Sequence, residues 1–484
     1  MHQTNRNLIL FELNEVPLRI IDQFCEWNPR STLAKQLRHC TVYETISEDY
    51  IRLSPWVTWP SLYRGVNDEH HMIEHFGQDL TEVDEQYPPI WKILTQHGVK
   101  TGVFGTLHTY PIPENLSNYA FYVPDTFAAG KECFPSSIDV FQDFNLSMAR
   151  ESPRNVSGRV HWSKVLGMLG SLPELGILPQ TFFSLAGQLA VERIQEYKKI
   201  RRRTFQPMIA FDIFLSHLKR SRPNFATFFT NHVASSMHRY WAAAFPQDYK
   251  PQDYLFDQDW QVRYRGEIAF TMSKFDEMFS RLVEFVDANP SWQIIVATSM
   301  GQDATTAKPL ETQLYIVDLP KFMSAVGLDP NCWSPRPAMA PRISVFIDPD
   351  HQNQLQNALS SIRINGQPIE WHIKDSGFFN IRLGQENLYE DSCRIELLGK
   401  EMTIADLGME NVEIQDKSNT TAYHIHSGSL VIYDPKNRDL PLQSRRTQIS
   451  TLDVAPFILA QMGIPVPDYM RRRVMLGRQQ SHTF

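Results

Sequence analysis

Hydrophobic positions along this chain fall in short unbroken runs separated by longer amphipathic stretches. NLILFEL near residue 10, TGVFGT near 103, FATFFT near 228 and QIIVATS near 296 are runs of this kind. Strands buried on both faces of a mostly parallel sheet read this way, because helices cover both surfaces. Between the runs, PIWKILTQHG at 89–98 predicts a helix closed by Gly98 and leading into the next strand. Glu267 to Asn289 predicts another, with Phe275, Met278, Phe279, Leu282, Phe285 and Val286 along one face as core packing. The pattern predicts an α/β fold with a mostly parallel central sheet and helices on both faces.

Two segments break the alternation. Residues 125–222 are helical and locally basic, including KKIRRR at 198–203, and are expected to form a helical cap insertion. Residues 340–420 hold the strand-like pieces ISVFI, IEWHI, GFFNIRL and CRIELL around the helical HQNQLQNALSSI, expected as a small α+β insertion. The α/β core is then 1–124, 223–339 and 421–484.

At 484 residues with a formal charge of -7, the chain offers no basic surface of the kind that polynucleotides require, so no nucleic-acid polymer is expected as partner. Cys25, Cys40, Cys133, Cys332 and Cys393 are scattered and lack a CxxC pair, which argues against a disulfide framework or thiolate zinc site and suits a reducing compartment. The five-residue apolar run before Glu12 is shorter than a signal-peptide core, so a cytoplasmic location is expected. The uncharged stretch Leu175 to Val191 contains Pro179 and reads as a buried or surface helix, with peripheral membrane contact as the sharper alternative. KKIRRR is most simply a solvated helix face; an anionic substrate or lipid surface is the alternative, and Arg471, Arg472 and Arg473 allow the same two readings.

In open α/β sheets ligands bind beyond the carboxyl ends of the strands. The polar residues there are Glu12, Asn14 and Glu15 after the first run, Asn231, His232 and then His238 after FATFFT, and Ser299, Met300 and Gln302 after QIIVAT. His424 and His426 precede the strand SLVIY. Each alone is as well explained by a helix cap or a satisfied turn; their repetition carries the information.

Three stretches resemble the alkaline phosphatase superfamily, in particular its type I phosphodiesterase/nucleotide pyrophosphatase branch. STLDVAPFILAQMGIPVPDYM at 450–470 resembles that family's Asp-x-x-Pro-x-x-Leu helix and Gly-x-Pro-x-Pro turn; WVTWPSLYRGVNDEHHMI resembles its nucleophile region; PPIWKILTQHGVKTGVFG resembles its next helix and strand. The resemblance implies Thr58 as nucleophile, with His71 in a later turn, and two metal ions, usually zinc, roughly 3.5 to 4 Å apart. From its position alone, Thr58 equally suits a helix N-cap.

The family's ligand set is incomplete here. Its first-strand Asp is Asn14, its Asp-His-Gly is Ser299-Met300-Gly301, and its Asp-x-x-x-His keeps His238 but has Ala234. An amide, an alcohol and a thioether cannot balance two divalent charges. The resemblance therefore leaves at most one divalent metal, zinc first, held by His238 and His424 with His232, His426 or Asn14 completing the site. Asn14 otherwise donates to the transferring group, and Asn231, His71 and Ser299 are expected to contact substrate. The expected function is a phosphoester hydrolase or phosphoryl transferase, more specifically for diesters, acting on a small-molecule, saccharide-linked or lipid-linked phosphate ester. Two alternatives stand beside it: a metal-poor pseudoenzyme that binds an anionic ligand or a partner, and a cleft recruited to acyl or sulfuryl transfer in specialised biosynthesis.

Overall fold

The computed structural model describes residues 6–151, 155, 172–338, 341–374, 377–388, 393–437 and 447–470. Arg471, Arg472 and Arg473, and most of 152–171 within the expected cap, lie outside the described residues. The first strands are β1 (Asn7–Leu13), β2 (Cys40–Ile46), β3 (Thr101–Phe104), β4 (Tyr119–Val123), β5 (Phe225–Thr230), β6 (Trp292–Ala297) and β7 (Gly301–Ala304). All but β7 enter one eight-stranded sheet, whose order is Gln448–Ser450, β2, Ser427–Tyr433, β6, β1, β5, β3, β4. Only Ser427–Tyr433 runs against its neighbours, β2 and β6; the other pairs are parallel.

β1 shows why the apolar runs are unbroken. Its residues alternate between faces, and Ile9, Phe11 and Leu13 join one buried cluster while Leu8 and Leu10 join another. Phe11 packs on Phe228 and Phe275 at ring separations of 5.4 and 5.3 Å, each side chain contributing roughly 1.5 to 3 kcal/mol by burial. β2 was not legible as a run because its burial is interrupted, as befits a strand near the sheet edge.

The 125–222 segment forms part of the layer over the sheet. Its helix Arg202–Ser221 sets Phe211 and Phe214 on Phe228, at 5.4 and 5.0 Å, within the main core. Three of the five basic side chains of the run pair internally: Arg201 grips buried Glu267 at 2.7 Å, Arg202 meets Glu192 at 2.6 Å, and Lys199 meets Glu196 at 2.6 Å. The helix Pro179–Ile194 exposes Phe183 and Ile194, and no described helix is long and apolar enough to cross a membrane. A separate buried cluster runs from Leu314 to Met409, drawing in residues before 340; two four-stranded antiparallel sheets lie in this part of the chain.

The helix Pro55–Arg64 carries an internal proline. Pro60 has no N–H to give the Trp56 carbonyl, which instead accepts from His108 Nε2 at 2.7 Å. The next turn is fixed by a buried polar network in which Ser61 Oγ donates to Asp49, and Ser47 Oγ donates to the same carboxylate at 2.7 Å.

Candidate functional site

Asn14, His238 and His424 converge with Glu15 where the parallel strands end. β1 delivers Asn14 and Glu15, β5 leads through Asn231 into the helix His232–Ala244 that carries His238, and β7 carries Gln302. β7 pairs antiparallel with Ala422–Ile425, which sets Gln302 directly opposite His424.

At the centre is Glu15, buried, with its backbone at φ 59°. His238 Nε2 and His424 Nε2 lie 2.9 and 3.4 Å from its Oε2, and Gln302 Nε2 donates to the same oxygen. Asn14 Nδ2 donates to Oε1 at 2.7 Å. Each imidazole is held from behind: His238 Nδ1 donates to the Ala422 carbonyl at 2.7 Å, and His424 Nδ1 to the Leu53 carbonyl at 2.9 Å. These bonds turn both Nε2 atoms toward one point. Glu15, His238 and His424 offer three ligand atoms within 4.8 Å of one another. His238 keeps 24% of its side chain exposed against 6% for His424, so the cluster opens to solvent on the His238 side.

Burial pushes the Glu15 carboxyl upward, but the charges of His424 and His238 and their hydrogen bonds outweigh it and hold the group well below the usual carboxylate range. For His424 burial acts downward; the Glu15 charge, its hydrogen bond and the Leu53 carbonyl overcome it and raise the imidazole.

Asn14 is saturated. Trp59 Nε1, a donor only, fixes Oδ1 at 2.8 Å, and Nδ2 then reaches Glu15 and Asn231 Oδ1, the latter at 2.7 Å. Its amide braces the carboxylate. Thr58 lies on the first turn of the helix Pro55–Arg64, whose N-cap is Ser54; Thr58 is thus not the cap residue. Its Oγ1 shares a 2.7 Å hydrogen bond with Ser299 Oγ, and both side chains are buried.

The other expected histidines lie apart from this cluster. His232 spends both nitrogens internally, on Thr230 Oγ1 at 2.6 Å and the Thr271 carbonyl at 3.1 Å, and burial pushes it down to about 4. His426 Nδ1 bonds the Ser47 carbonyl and its ring faces Tyr50. His71 is fully buried; its Nδ1 accepts from the Ile73 N–H at 2.9 Å, so Nε2 donates to Ser61 at 2.8 Å and cannot serve as a base for that hydroxyl. Burial pushes His71 down to about 3. In this arrangement both ring nitrogens of His71 and of His232 are spent on internal partners, away from the Glu15 cluster. Glu15, which the sequence reading set beside Asn14 without assigning it, is the carboxylate that the imidazoles face.

The fold and cluster together define an open α/β protein with a carboxylate and two imidazoles at its strand ends. No family model and no curated protein matches the chain. Among solved structures, murine ectonucleotide pyrophosphatase/phosphodiesterase 5 aligns at 8% identity over 96% of each chain with a TM-score of 0.42. An inactive variant of the murine protein in complex with AMP aligns at 9% identity and a TM-score of 0.41, and the human protein at 8% and 0.39, each again over 96% of both chains. Likeness at this level bears on neither the substrate nor the residues of this chain.

Proposed function

We propose that the chain is a phosphoester hydrolase or phosphoryl transferase, more specifically for diesters, that works with one divalent cation, zinc first, and uses Thr58 as its nucleophile. One observation carries this: two imidazoles anchored through Nδ1 to main-chain carbonyls turn Nε2 onto the same buried carboxylate. A neutral imidazole that donates from Nδ1 has a lone pair at Nε2. Two such lone pairs facing a carboxylate repel unless a cation or a proton lies among them.

The residues fit one cation. Three N and O ligands are the number a catalytic zinc site takes from protein, and carbonyls behind the imidazoles are the usual orienting partners. For a second cation the corresponding positions offer only neutral groups, the Asn14 amide and the Ser299 hydroxyl, which do not balance its charge. A divalent cation at Glu15, His238 and His424 would polarise a phosphoryl oxygen and favour an oxyanion nucleophile. Thr58 gains further from the positive end of its own ten-residue helix. Asn231, exposed and braced by Asn14, is free to contact substrate oxygens.

A second reading is favoured by the amide hydrogens that Asn14 and Gln302 give to the two Glu15 oxygens. They satisfy a carboxylate that holds imidazolium in place of metal, as in a metal-free anion-binding protein. Elemental analysis separates the two: about one zinc per chain, lost in His238→Ala, supports the enzyme, and a metal-free wild type rejects it. On an accepted diester such as bis(p-nitrophenyl) phosphate, Thr58→Ala should lower turnover at least about 10³-fold with the fold intact. Unchanged turnover removes Thr58 as nucleophile.

A further inference from the structure

Near the Glu15 cluster the charges of Arg52 and Arg382 both act on Arg342, with two carboxylates, Glu370 and Glu386, paired to Arg382. Arg342 and Arg382 adjoin the paired residues Ile343 and Ile381 of two antiparallel strands, so the register sets them opposite one another. Like charges directly opposite in a sheet are destabilising. Arg382 has Glu370 at 3.5 Å and Glu386 at 3.9 Å; half-buried Arg342 has no carboxylate within ion-pair distance among the described residues, and the charge of Glu370, which also reaches it, acts less strongly than those of Arg52 and Arg382. The third member is Arg52, whose charge acts on Arg342 together with that of Arg382. Its only close side-chain partner among the described residues is the Trp56 ring, at 5.4 Å.

These residues stand next to the candidate site. Arg52 precedes Leu53, whose carbonyl orients His424, and its charge reaches that imidazole. Tyr423, which also lies near Arg342, stacks on His424 at 4.2 Å and is half exposed. The strand Phe378–Arg382 is seated against the core, with the His75 and Phe378 rings 4.0 Å apart.

We propose that Arg52, Arg342 and Arg382 form an oxyanion subsite beside the Glu15–His238–His424 cluster, which receives a phosphate or carboxylate group of the substrate other than the ester that is cleaved. This names a substrate class for the function proposed above and rests on it: a phosphoester with a second anionic group. Guanidinium forks match both oxyanions, and an anion among the three removes the repulsion that the empty arrangement carries. Tyr423 offers a flat surface to the part of the substrate that joins the two groups.

The test is calorimetric binding of inorganic phosphate and of citrate to the full-length protein, in the wild type and in Arg342→Gln, Arg52→Gln and His238→Ala. The expected result is that Arg342→Gln and Arg52→Gln each weaken one or both probes at least about tenfold, and do so also when combined with His238→Ala, in which binding at the cation site is removed. Arg342→Gln should also melt no lower than wild type in the absence of anion, since it relieves repulsion; a structural role would lower it. Wild-type affinity in both arginine variants, or binding lost in His238→Ala alone, overturns the subsite. Arginine-dependent binding with no diester turnover sinks the enzymatic function and leaves the subsite; diester turnover with arginine-independent binding does the reverse.

Discussion

Glu15 sits in a left-handed backbone conformation that costs an L-residue about 1 to 2 kcal/mol, and it is buried. Such strain persists only where neighbours fix it, and here four side chains do. The charge pairing also has a pH signature. The lowered Glu15 carboxyl contributes stability that is present above its ordinary value of 4.5 and is lost as pH falls through its folded value. The raised His424 contributes stability present below 6.5 and lost as pH rises through its own folded value. In chelator, the urea midpoint of the wild type relative to Glu15→Gln should therefore be greatest between 4.5 and 6.5; parallel curves would deny the pairing. Glu12, three residues earlier, behaves oppositely. Burial pushes its carboxyl up to about 8 against the hydrogen bonds of Tyr63 and Thr106. Its ionisation is thus opposed by folding, and Glu12→Gln should stabilise the protein by a few kcal/mol at neutral pH, of the order set by 1.36 kcal/mol per pH unit. The gain should grow from 4.5 and level off beyond about 8; thermal melts across that range measure it. Sequence placed Glu12, Asn14 and Glu15 at one strand end, yet only the αL turn decides which carboxylate faces the imidazoles and which enters the core.

At the scale of elements, the site depends on the pairing of β7 with Ala422–Ile425. Gly301 begins β7, and a Cβ there would lie 2.1 Å from the Ser427 carbonyl oxygen, backbone that cannot swing aside. Gly301→Ala should part the two strands that place Gln302 and His424. The expected outcome is a loss of about 1 to 3 kcal/mol in stability, the usual cost of overpacking, together with at least tenfold weaker metal binding. Equilibrium unfolding and metal titration read the two effects; wild-type metal affinity would show that the strands tolerate the shift. The inner strands were legible because continuous apolar runs demand cover on both faces, and His238 and His424 could be singled out together. The separation of His71 and His232 was not legible, since the Ile73 N–H and the Thr271 carbonyl that bind them are main-chain groups without any residue signature. Nor could spacing reveal that Lys199, Arg201 and Arg202 of KKIRRR would pair with Glu196, Glu267 and Glu192.

On the scale of the whole molecule, a chain of net charge -7 has no general attraction for anions, so any preference for an anionic substrate has to be local. The three arginines supply it only if the Leu314–Met409 unit is seated correctly on the core. That seating passes through Gly77, at φ 78°, where a Cβ would come 2.9 Å from Pro337 Cδ, an atom of a rigid ring. Gly77→Ala combines an unfavourable backbone conformation with this clash and should displace the unit while leaving Glu15, His238, His424 and Thr58 in place. For a substrate with a second anionic group the expected result is a KM raised about tenfold with kcat nearly unchanged, because ground-state and transition-state contacts to the remote group are lost alike. For bis(p-nitrophenyl) phosphate, which has no such group, KM should not move. Equal effects on both substrates would mean that the seating of the unit supports the catalytic cluster itself, and that the arginines do not select the substrate.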